Sequence, residues 1–161
     1  MCAAGLCSVE AARPPNNIAM TNHGGVAAVI TNRLHHKVIK STSETTTFES
    51  LYFSVTSGSN TVIILPVYHT GPITDIFFEE LQTYLEVVTL YKCQIIVAGD
   101  FNIHVECSND KDAAKLNDIL LNFDCKQHVP HETRHRNGGT LDLVIPTSKS
   151  KQCLSNHRTS T

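Results

Sequence analysis

The chain has 161 residues, of which 41% are hydrophobic, and a formal net charge of −2. This length is enough for one domain with a buried core. The near-zero charge, with lysine and arginine spread thinly, argues against a protein that grips nucleic acid mainly by bulk electrostatics.

The start of the chain and its cysteines indicate an intracellular protein. Residues 1–7 have neither the cationic start nor the long apolar run of a secretory signal, and no apolar stretch is long enough to cross a membrane. The six cysteines form no C-x-x-C pair, and we expect them to be reduced. A nuclear or cytoplasmic location, without secretion or membrane association, is therefore predicted.

The first half of the chain predicts a lead-in followed by strands. Residues 1–22 are small and polar, with two adjacent prolines, and are expected to be poorly ordered. Residues 26–30 predict a short apolar strand, and residues 32–40 a polar loop. Residues 48–56 alternate as a half-buried strand, and residues 61–68 form a fully buried strand that completes a hairpin. The mostly apolar side of the first hairpin strand carries Glu49, Leu51, Phe53 and Val55.

The second half predicts two helices around a central strand. Pro72 opens the first helix at a position that tolerates proline. Its apolar stripe comprises Ile73, Ile76, Phe77, Leu81, Leu85 and Val88. The apolar run at residues 95–98, ended by Gly99, predicts a strand buried on both faces. A second helix over residues 112–123 precedes a last strand over residues 140–145. Hairpin strands mixed with crossover helices predict an α/β fold with a mixed β-sheet and covering helices.

Polar side chains stand at the ends of these strands, where open α/β sheets place their ligands. Asp100 and Asn102 follow the central strand and point to the same side if the chain stays extended. Asp142 lies within an apolar stretch, where a carboxylate is costly unless it is paired or hydrogen-bonded. The other candidates are Tyr68, His69 and Thr70 after the hairpin and Thr133 in the late loop. We expect the strand ends that carry Tyr68, Asp100 and Asp142 to converge on one pocket.

Simpler interpretations of these residues stay open. Asp100 and Asn102 are both common in turns that follow strands, and Asp142 can lie on a polar face of the sheet. The pair His35-His36 is interpreted as part of a solvated loop. A zinc site is a rival hypothesis, although Pro130 would interrupt a helix there. Its ligands would be Cys125, His128, His131 and His135.

Several segments resemble one known superfamily in the expected order. The motif GDFN at residues 99–102, with GGTLDLVI at residues 138–145, resembles the endonuclease/exonuclease/phosphatase superfamily. The chain is most similar to the apurinic-type endonuclease domain of non-LTR (LINE-type) retrotransposons. The supporting segments are GGVAAVI at residues 24–30, VIILPVYHTG at residues 62–71 and LNFDCKQHVPHET at residues 121–133. The match covers about residues 23–146, between the lead-in and a polar tail at residues 147–161.

The resemblance implies a DNase-I-like fold, here a partial four-layer α/β sandwich, and cleavage of phosphodiester bonds in DNA with Mg²⁺ or Mn²⁺. It implies that Asp100 orients or deprotonates the attacking water and contributes to metal binding, and that Asn102 and Tyr68 contact the phosphate. Asp142 would orient a catalytic histidine, for which His157 is the candidate. His69 and Thr133 are interpreted as further substrate contacts.

Two departures from the family pattern predict impaired activity. The family has a metal-binding glutamate before the early Gly-Gly strand, whereas Glu10 is the only acid in residues 1–22 and is predicted to lie outside any strand. The family ends in Ser-Asp-His, whereas this chain ends in Ser155-Asn156-His157. We therefore expect a domain shortened at both ends, with a weakly bound metal and little turnover. A non-catalytic remnant and a phosphatase of the same superfamily are the alternatives, and the oligomeric state stays open.

Overall fold

The computed structural model describes residues 6–10, 25–39, 45–69, 71–91, 93–129 and 140–147, with backbone alone for residues 6–10. The strands are β1 (Leu6–Glu10), β2 (Ala27–Thr31), β3 (His35–Ile39), β4 (Phe48–Ser50), β5 (Tyr52–Ser57), β6 (Asn60–His69), β7 (Gln94–Asp100) and β8 (Asp142–Pro146). The helices are α1 (Asp75–Thr89) and α2 (Lys111–Asn122).

Six of these strands form one mixed sheet in the order β3-β5-β6-β7-β8, with β4 also paired to β6. The hairpin strands β5 and β6 are antiparallel, as are β7 and β8. Strands β6 and β7 are parallel, because α1 carries the chain back between them. The predicted α/β fold, a mixed sheet with covering helices, is therefore confirmed.

The two faces of this sheet pack against different layers. Both helices cover one face, and Leu65 of β6 and Val97 of β7 lie fully buried in that core. The opposite face packs Phe53 against Val26 and Ile30, which belong to β2 and the residue before it. Strands β1 and β2 form a separate two-stranded antiparallel sheet. The layers are thus helices, large sheet and small sheet.

Two strands were missed by the sequence interpretation. Strand β1 lies within residues 1–22, so the prediction of a poorly ordered lead-in is wrong for Leu6–Glu10. Glu10 is the last residue of β1 and pairs with Ala27, which contradicts the expectation that no strand surrounds it. Strand β3 replaces the predicted loop and carries His35 and His36, both exposed. Its backbone pairs with β5 while its first four side chains are exposed, so its sequence lacks the apolar alternation of a strand.

The predicted strand over residues 48–56 is two strands separated at Leu51. Both of its sides are buried, because Phe48 and Tyr52 face the helices while Leu51 and Phe53 face the small sheet. The ring of Tyr52 stacks on that of Tyr84 in α1, with their centroids 4.3 Å apart. The alternation of the sequence predicted burial only for the side that carries Leu51 and Phe53. Burial of Phe48 and Tyr52 depends on packing against helix α1, which the alternation does not report.

Helix α1 begins later than predicted and presents a slightly different face. Its N-cap is Thr74, whose side chain accepts a hydrogen bond from the backbone N–H of Phe77. Ile76, assigned to the apolar stripe, is 55% exposed, whereas Phe78 and Tyr84 are buried. Phe77, Leu81, Leu85 and Val88 lie in the core as predicted.

Two further expectations concern cysteines and membranes. Cys93 is disulfide-bonded, so the prediction that every cysteine is reduced is wrong for this residue, whereas Cys107 and Cys125 are free thiols. The prediction rested on the absence of a secretory signal, which carries no information on the geometry of individual thiols.

In the parts of the chain that the structure describes, no helix has the length and apolar character needed to cross a membrane.

Candidate active site

Tyr68, Asp100 and Asp142 occupy one row across three neighbouring strands. Tyr68 of β6 is the Cα partner of Asp100 in β7, and Asp100 is the Cα partner of Asp142 in β8. Residues paired in this way share a face of the sheet, with Cβ atoms about 5 Å apart. The structure therefore brings together the three strand ends that the sequence predicted to converge.

The row lies on the face of the large sheet that packs against the small sheet. Along β6, Leu65 and Val67 face the helices, whereas Ile64 and Tyr68 pack against the cluster that includes β2. Tyr68 and Asp100 are half-buried, and Asp142 is exposed. The row thus runs from the apolar contacts of Tyr68 to solvent at Asp142, at the carboxyl ends of the parallel strands β6 and β7.

Glu49 extends this row by one strand, and the sequence interpretation did not single it out. Glu49 of β4 is the Cα partner of Tyr68, so its half-buried carboxylate lies on the same face. A signal was present in the sequence, because Glu49 is the one charged residue on the mostly apolar side of residues 48–56. A carboxylate in such a set is unusual unless it has a specific role.

Asp100 and Asn102 are joined by a turn rather than by an extended chain. The strand continues through Gly99 and Asp100, and Asn102 then adopts a left-handed conformation with φ of 54°. The backbone N–H of Asn102 donates to Oδ1 of Asp100 over 2.9 Å, and its Nδ2 donates to the carbonyl of Gly71 over 3.3 Å. An extended chain was the condition for both side chains to point to one side, and this condition is not met because Asn102 leaves the extended conformation.

Gly99 is required by the close approach of β7 to β6. Its φ is 144°, and a Cβ atom placed on it would lie 1.9 Å from the carbonyl oxygen of Val67. Only glycine avoids this collision. The next pair along these strands is Tyr68 and Asp100, so the glycine of the motif allows the close strand approach that places its acid beside Tyr68.

Asp142 does not lie in a strand buried on both faces. Leu143 and Ile145 are buried against the helices, whereas Asp142 and Val144 are exposed on the other side of β8. The exposure of Asp142 agrees with the simpler interpretation, in which this residue lies on a polar face of the sheet. Among the described residues, the face of β8 opposite the helices is exposed at Asp142 and Val144, which the apolar sequence of this stretch did not reveal.

His69 lies on the opposite face from Tyr68, because neighbouring residues of a strand point in opposite directions. It is 3% exposed, and its ring packs edge-on against Phe77 with centroids 4.6 Å apart. Burial lowers the pKa of this imidazole, opposed by the charge of Asp100. His69 is therefore a neutral core residue and does not line the row, which argues against its predicted substrate contact.

Three other candidates cannot be placed, and the zinc hypothesis gains no support. Thr70, Thr133 and His157 lie outside the described residues, as do His131 and His135 of the zinc hypothesis. Burial raises the pKa of the Cys125 thiol to about 11, which disfavours the thiolate that zinc needs. Within the described residues, no group of three or more His, Cys, Asp or Glu side chains could hold a metal ion.

The row fits a loosely held divalent cation rather than a closed metal centre. Mg²⁺ is commonly bound through one or two carboxylates, with water and substrate phosphates completing its coordination shell. Asp100 and the neighbouring Asp142 supply two carboxylates on one face. The oxygen donors are of the type that Mg²⁺ and Mn²⁺ prefer.

Glu106 and His104, in the loop after β7, form a second polar group that the sequence interpretation missed. Oε2 of Glu106 accepts a hydrogen bond from the backbone N–H of Thr140 over 2.9 Å, and Oε1 lies 2.8 Å from Nδ1 of His104. The Thr140 N–H lowers the pKa of Glu106 to about 2, and the pairing with His104 adds to this. No spacing rule connects Glu106 to Thr140, which follows 34 residues later.

The low pKa of Glu106 predicts a measurable loss of stability in acid. Its folded-state pKa of about 2 lies below the ordinary value of 4.5, so the carboxylate stabilises the fold fully above pH 4.5 and loses this contribution as the pH falls towards 2. In urea titrations, the unfolding free energy of the wild type should fall more steeply through this range than that of Glu106→Gln. Glu79→Gln, on an exposed glutamate of α1, should follow the wild type. Parallel curves for wild type and Glu106→Gln would contradict the prediction.

Two solved structures share this fold at low sequence identity. The endonuclease domain of TRAS1, a telomere-specific non-LTR retrotransposon, matches with a TM-score of 0.66 and 12% identity, over 89% of this chain and 66% of that one. The human Nocturnin catalytic domain with bound sulfate matches with a TM-score of 0.55 and 15% identity, over 89% of this chain and 61% of that one. The chain thus has the DNase-I-like α/β fold of these two domains.

The sequence profile described as endonuclease-reverse transcriptase matches residues 62–161. The chain belongs to the endonuclease-reverse transcriptase family. A comparison with curated proteins finds no match. The chain spans 66% of the TRAS1 domain and 61% of the Nocturnin domain.

Proposed function

We propose that this chain hydrolyses phosphodiester bonds in DNA with a divalent metal ion, as a retrotransposon-type endonuclease domain. The observation that carries the proposal is the register that sets Tyr68, Asp100 and Asp142 side by side. Membership of the endonuclease-reverse transcriptase family supports it. A phenol and two carboxylates at the carboxyl ends of parallel strands suit a reaction that must hold a phosphate and activate a water.

Each residue of the site has a proposed role. Asp100 accepts a proton from the attacking water, and the phenol of Tyr68 donates a hydrogen bond to a non-bridging phosphate oxygen. Asn102 contacts the phosphate from the adjoining turn, and Asp142 orients a histidine, for which His157 is the candidate. When bound at Asp100 and Asp142, Mg²⁺ or Mn²⁺ would relieve the negative charge on the phosphate oxygens. Thr133 stays a proposed substrate contact.

Glu10 is the proposed counterpart of the family's metal-binding glutamate. It ends β1, which pairs with the strand that follows the Gly-Gly pair of the sequence, and this is the place in the chain order where the resemblance expects that glutamate. The proposal replaces the expectation that this ligand is missing. Turnover is still expected to be low, because Ser155-Asn156-His157 provides an amide where the family has the carboxylate of Ser-Asp-His.

Nicking of supercoiled plasmid DNA by the purified chain tests this function. We expect nicked circles with Mg²⁺ or Mn²⁺ and none with a chelator in excess. We expect Glu10→Gln to raise the metal concentration needed for half-maximal nicking. Absence of nicking by folded protein at every metal concentration would contradict the proposal and favour a non-catalytic domain. Release of phosphate from a phosphomonoester without nicking would instead indicate a phosphatase.

A further inference from the structure

Asp100, the last residue of β7, and Asp142, the first residue of β8, form the terminal pair of these two antiparallel strands. Contacts continue between the residues that follow Asp100 and those that precede Asp142. Phe101, directly after Asp100, donates its backbone N–H to the carbonyl of Leu141 over 3.0 Å. One residue further back, the N–H of Thr140 donates to Oε2 of Glu106 over 2.9 Å. The loop after β7 therefore holds the chain that leads into Asp142 at two successive residues.

The loop that carries Glu106 is itself fixed in place. Phe101 is fully buried and Ile103 is 2% exposed, so the loop is anchored in the helix-side core. Backbone hydrogen bonds join Val105 to Ile103 and Cys107 to His104 within the loop. His104 then holds the other oxygen of the Glu106 carboxylate. Glu106 thus presents an oriented acceptor rather than a freely rotating side chain.

The hydrogen bond to Thr140 matters because of where Thr140 lies. Thr140 is 5% exposed, and a buried backbone N–H needs a partner because it cannot bond to bulk water. Asp142 follows two residues later as the first residue of β8, with an exposed side chain. The backbone position of Asp142 beside Asp100 therefore depends on the path of the chain through Thr140 and Leu141.

We propose that Glu106 is a positioning residue that holds Asp142 beside Asp100 by binding the backbone N–H of Thr140. The inference rests on the proposed function for its effect on the reaction, since Glu106 would act through the position of Asp142. It acts through the chain before β8, and His104 keeps its carboxylate turned towards Thr140. Loss of a group that orients a site residue commonly lowers activity by about 10- to 100-fold.

Two substitutions at Glu106 separate positioning from charge. Glu106→Ala removes the acceptor, whereas Glu106→Gln keeps a side-chain oxygen that can accept from Thr140. At a temperature where circular dichroism shows both variants folded, we expect Glu106→Ala to lower kcat for nicking by about 10- to 100-fold with little change in KM, and Glu106→Gln to retain most of the wild-type kcat. Glu79→Ala, on the exposed side of α1, is the control and should nick like the wild type.

Amide NMR spectra give a readout that needs no turnover. In Glu106→Ala, the Thr140 amide should exchange faster with solvent and the signals of Leu141 and Asp142 should shift, whereas Glu106→Gln should preserve them. Unshifted signals in Glu106→Ala would overturn the inference even if the wild type does not nick DNA. A wild type that nicks, with an unchanged kcat in Glu106→Ala, would also overturn it and leave the proposed function intact.

Discussion

Replacing Gly99 with alanine is expected to remove most of the stability of the fold. The added Cβ would lie 1.9 Å from the carbonyl oxygen of Val67, which is backbone in the adjacent parallel strand. Neither strand can move aside without breaking the β6–β7 pairing at the centre of the sheet. The backbone at Gly99, with φ of 144°, is also strained for any other residue. Overpacking and backbone strain each cost about 1–3 kcal/mol, so we expect a loss of about 2–6 kcal/mol.

Gly58 provides the matched control for this substitution. It too has a positive φ, of 59°, but a Cβ on it would meet no atom within 4 Å. Gly58→Ala therefore tests backbone strain alone and should cost about 1–2 kcal/mol in urea denaturation. Equal losses in the two variants would show that the close approach of β7 to β6 does not constrain this position.

Replacing Asp100 with asparagine is expected to abolish nicking while the fold persists. The amide oxygen of asparagine can still accept the hydrogen bond that the Asn102 N–H gives to Oδ1 of Asp100, so the turn should survive. The variant loses the negative charge that would take a proton from water or hold a cation. A positioned acid or base commonly contributes about 10²- to 10⁴-fold, and we expect a loss in that range.

Asp118→Asn, on the exposed side of α2, is the control for this change in charge. It alters net charge by the same amount, so any general effect of charge on DNA binding would appear in both variants. Thermal melts should show that both remain folded. If Asp100→Asn nicks DNA at the wild-type rate in the same preparation, the activity comes from another site.

The large sheet and helices were predictable because their signals are local. Apolar periodicity located α1, α2, β6 and β7 to within a few residues, and the combination of a hairpin with crossover helices predicted the mixed sheet. Strands β1 and β3 were not found, because their assignment depends on backbone pairing to a distant segment. For residues 48–56 the sequence predicted burial of one side only, since burial of Tyr52 depends on stacking against the ring of Tyr84.

The candidate site was predictable in its members but not in its local geometry. The motif GDFN and the late LDLVI stretch identified Asp100 and Asp142, and the register of three strands places both beside Tyr68. The left-handed turn at Asn102 was not visible, although asparagine tolerates that conformation. The inward position of His69 could have been inferred from Tyr68, since adjacent strand residues alternate. The contact between Glu106 and Thr140 could not be inferred, because the two residues are remote in sequence.

A Mn²⁺ titration followed by amide NMR tests most directly whether Tyr68, Asp100 and Asp142 form one cation and phosphate site. The paramagnetic ion broadens the signals of nearby amides, so no turnover is needed. We expect the amides of Tyr68, Asp100 and Asp142 to broaden first and together, while those of Asn60 and Thr61 at the far end of β6 stay sharp. Broadening that begins elsewhere, spares Asp142, or persists unchanged in Asp100→Asn would contradict a shared site.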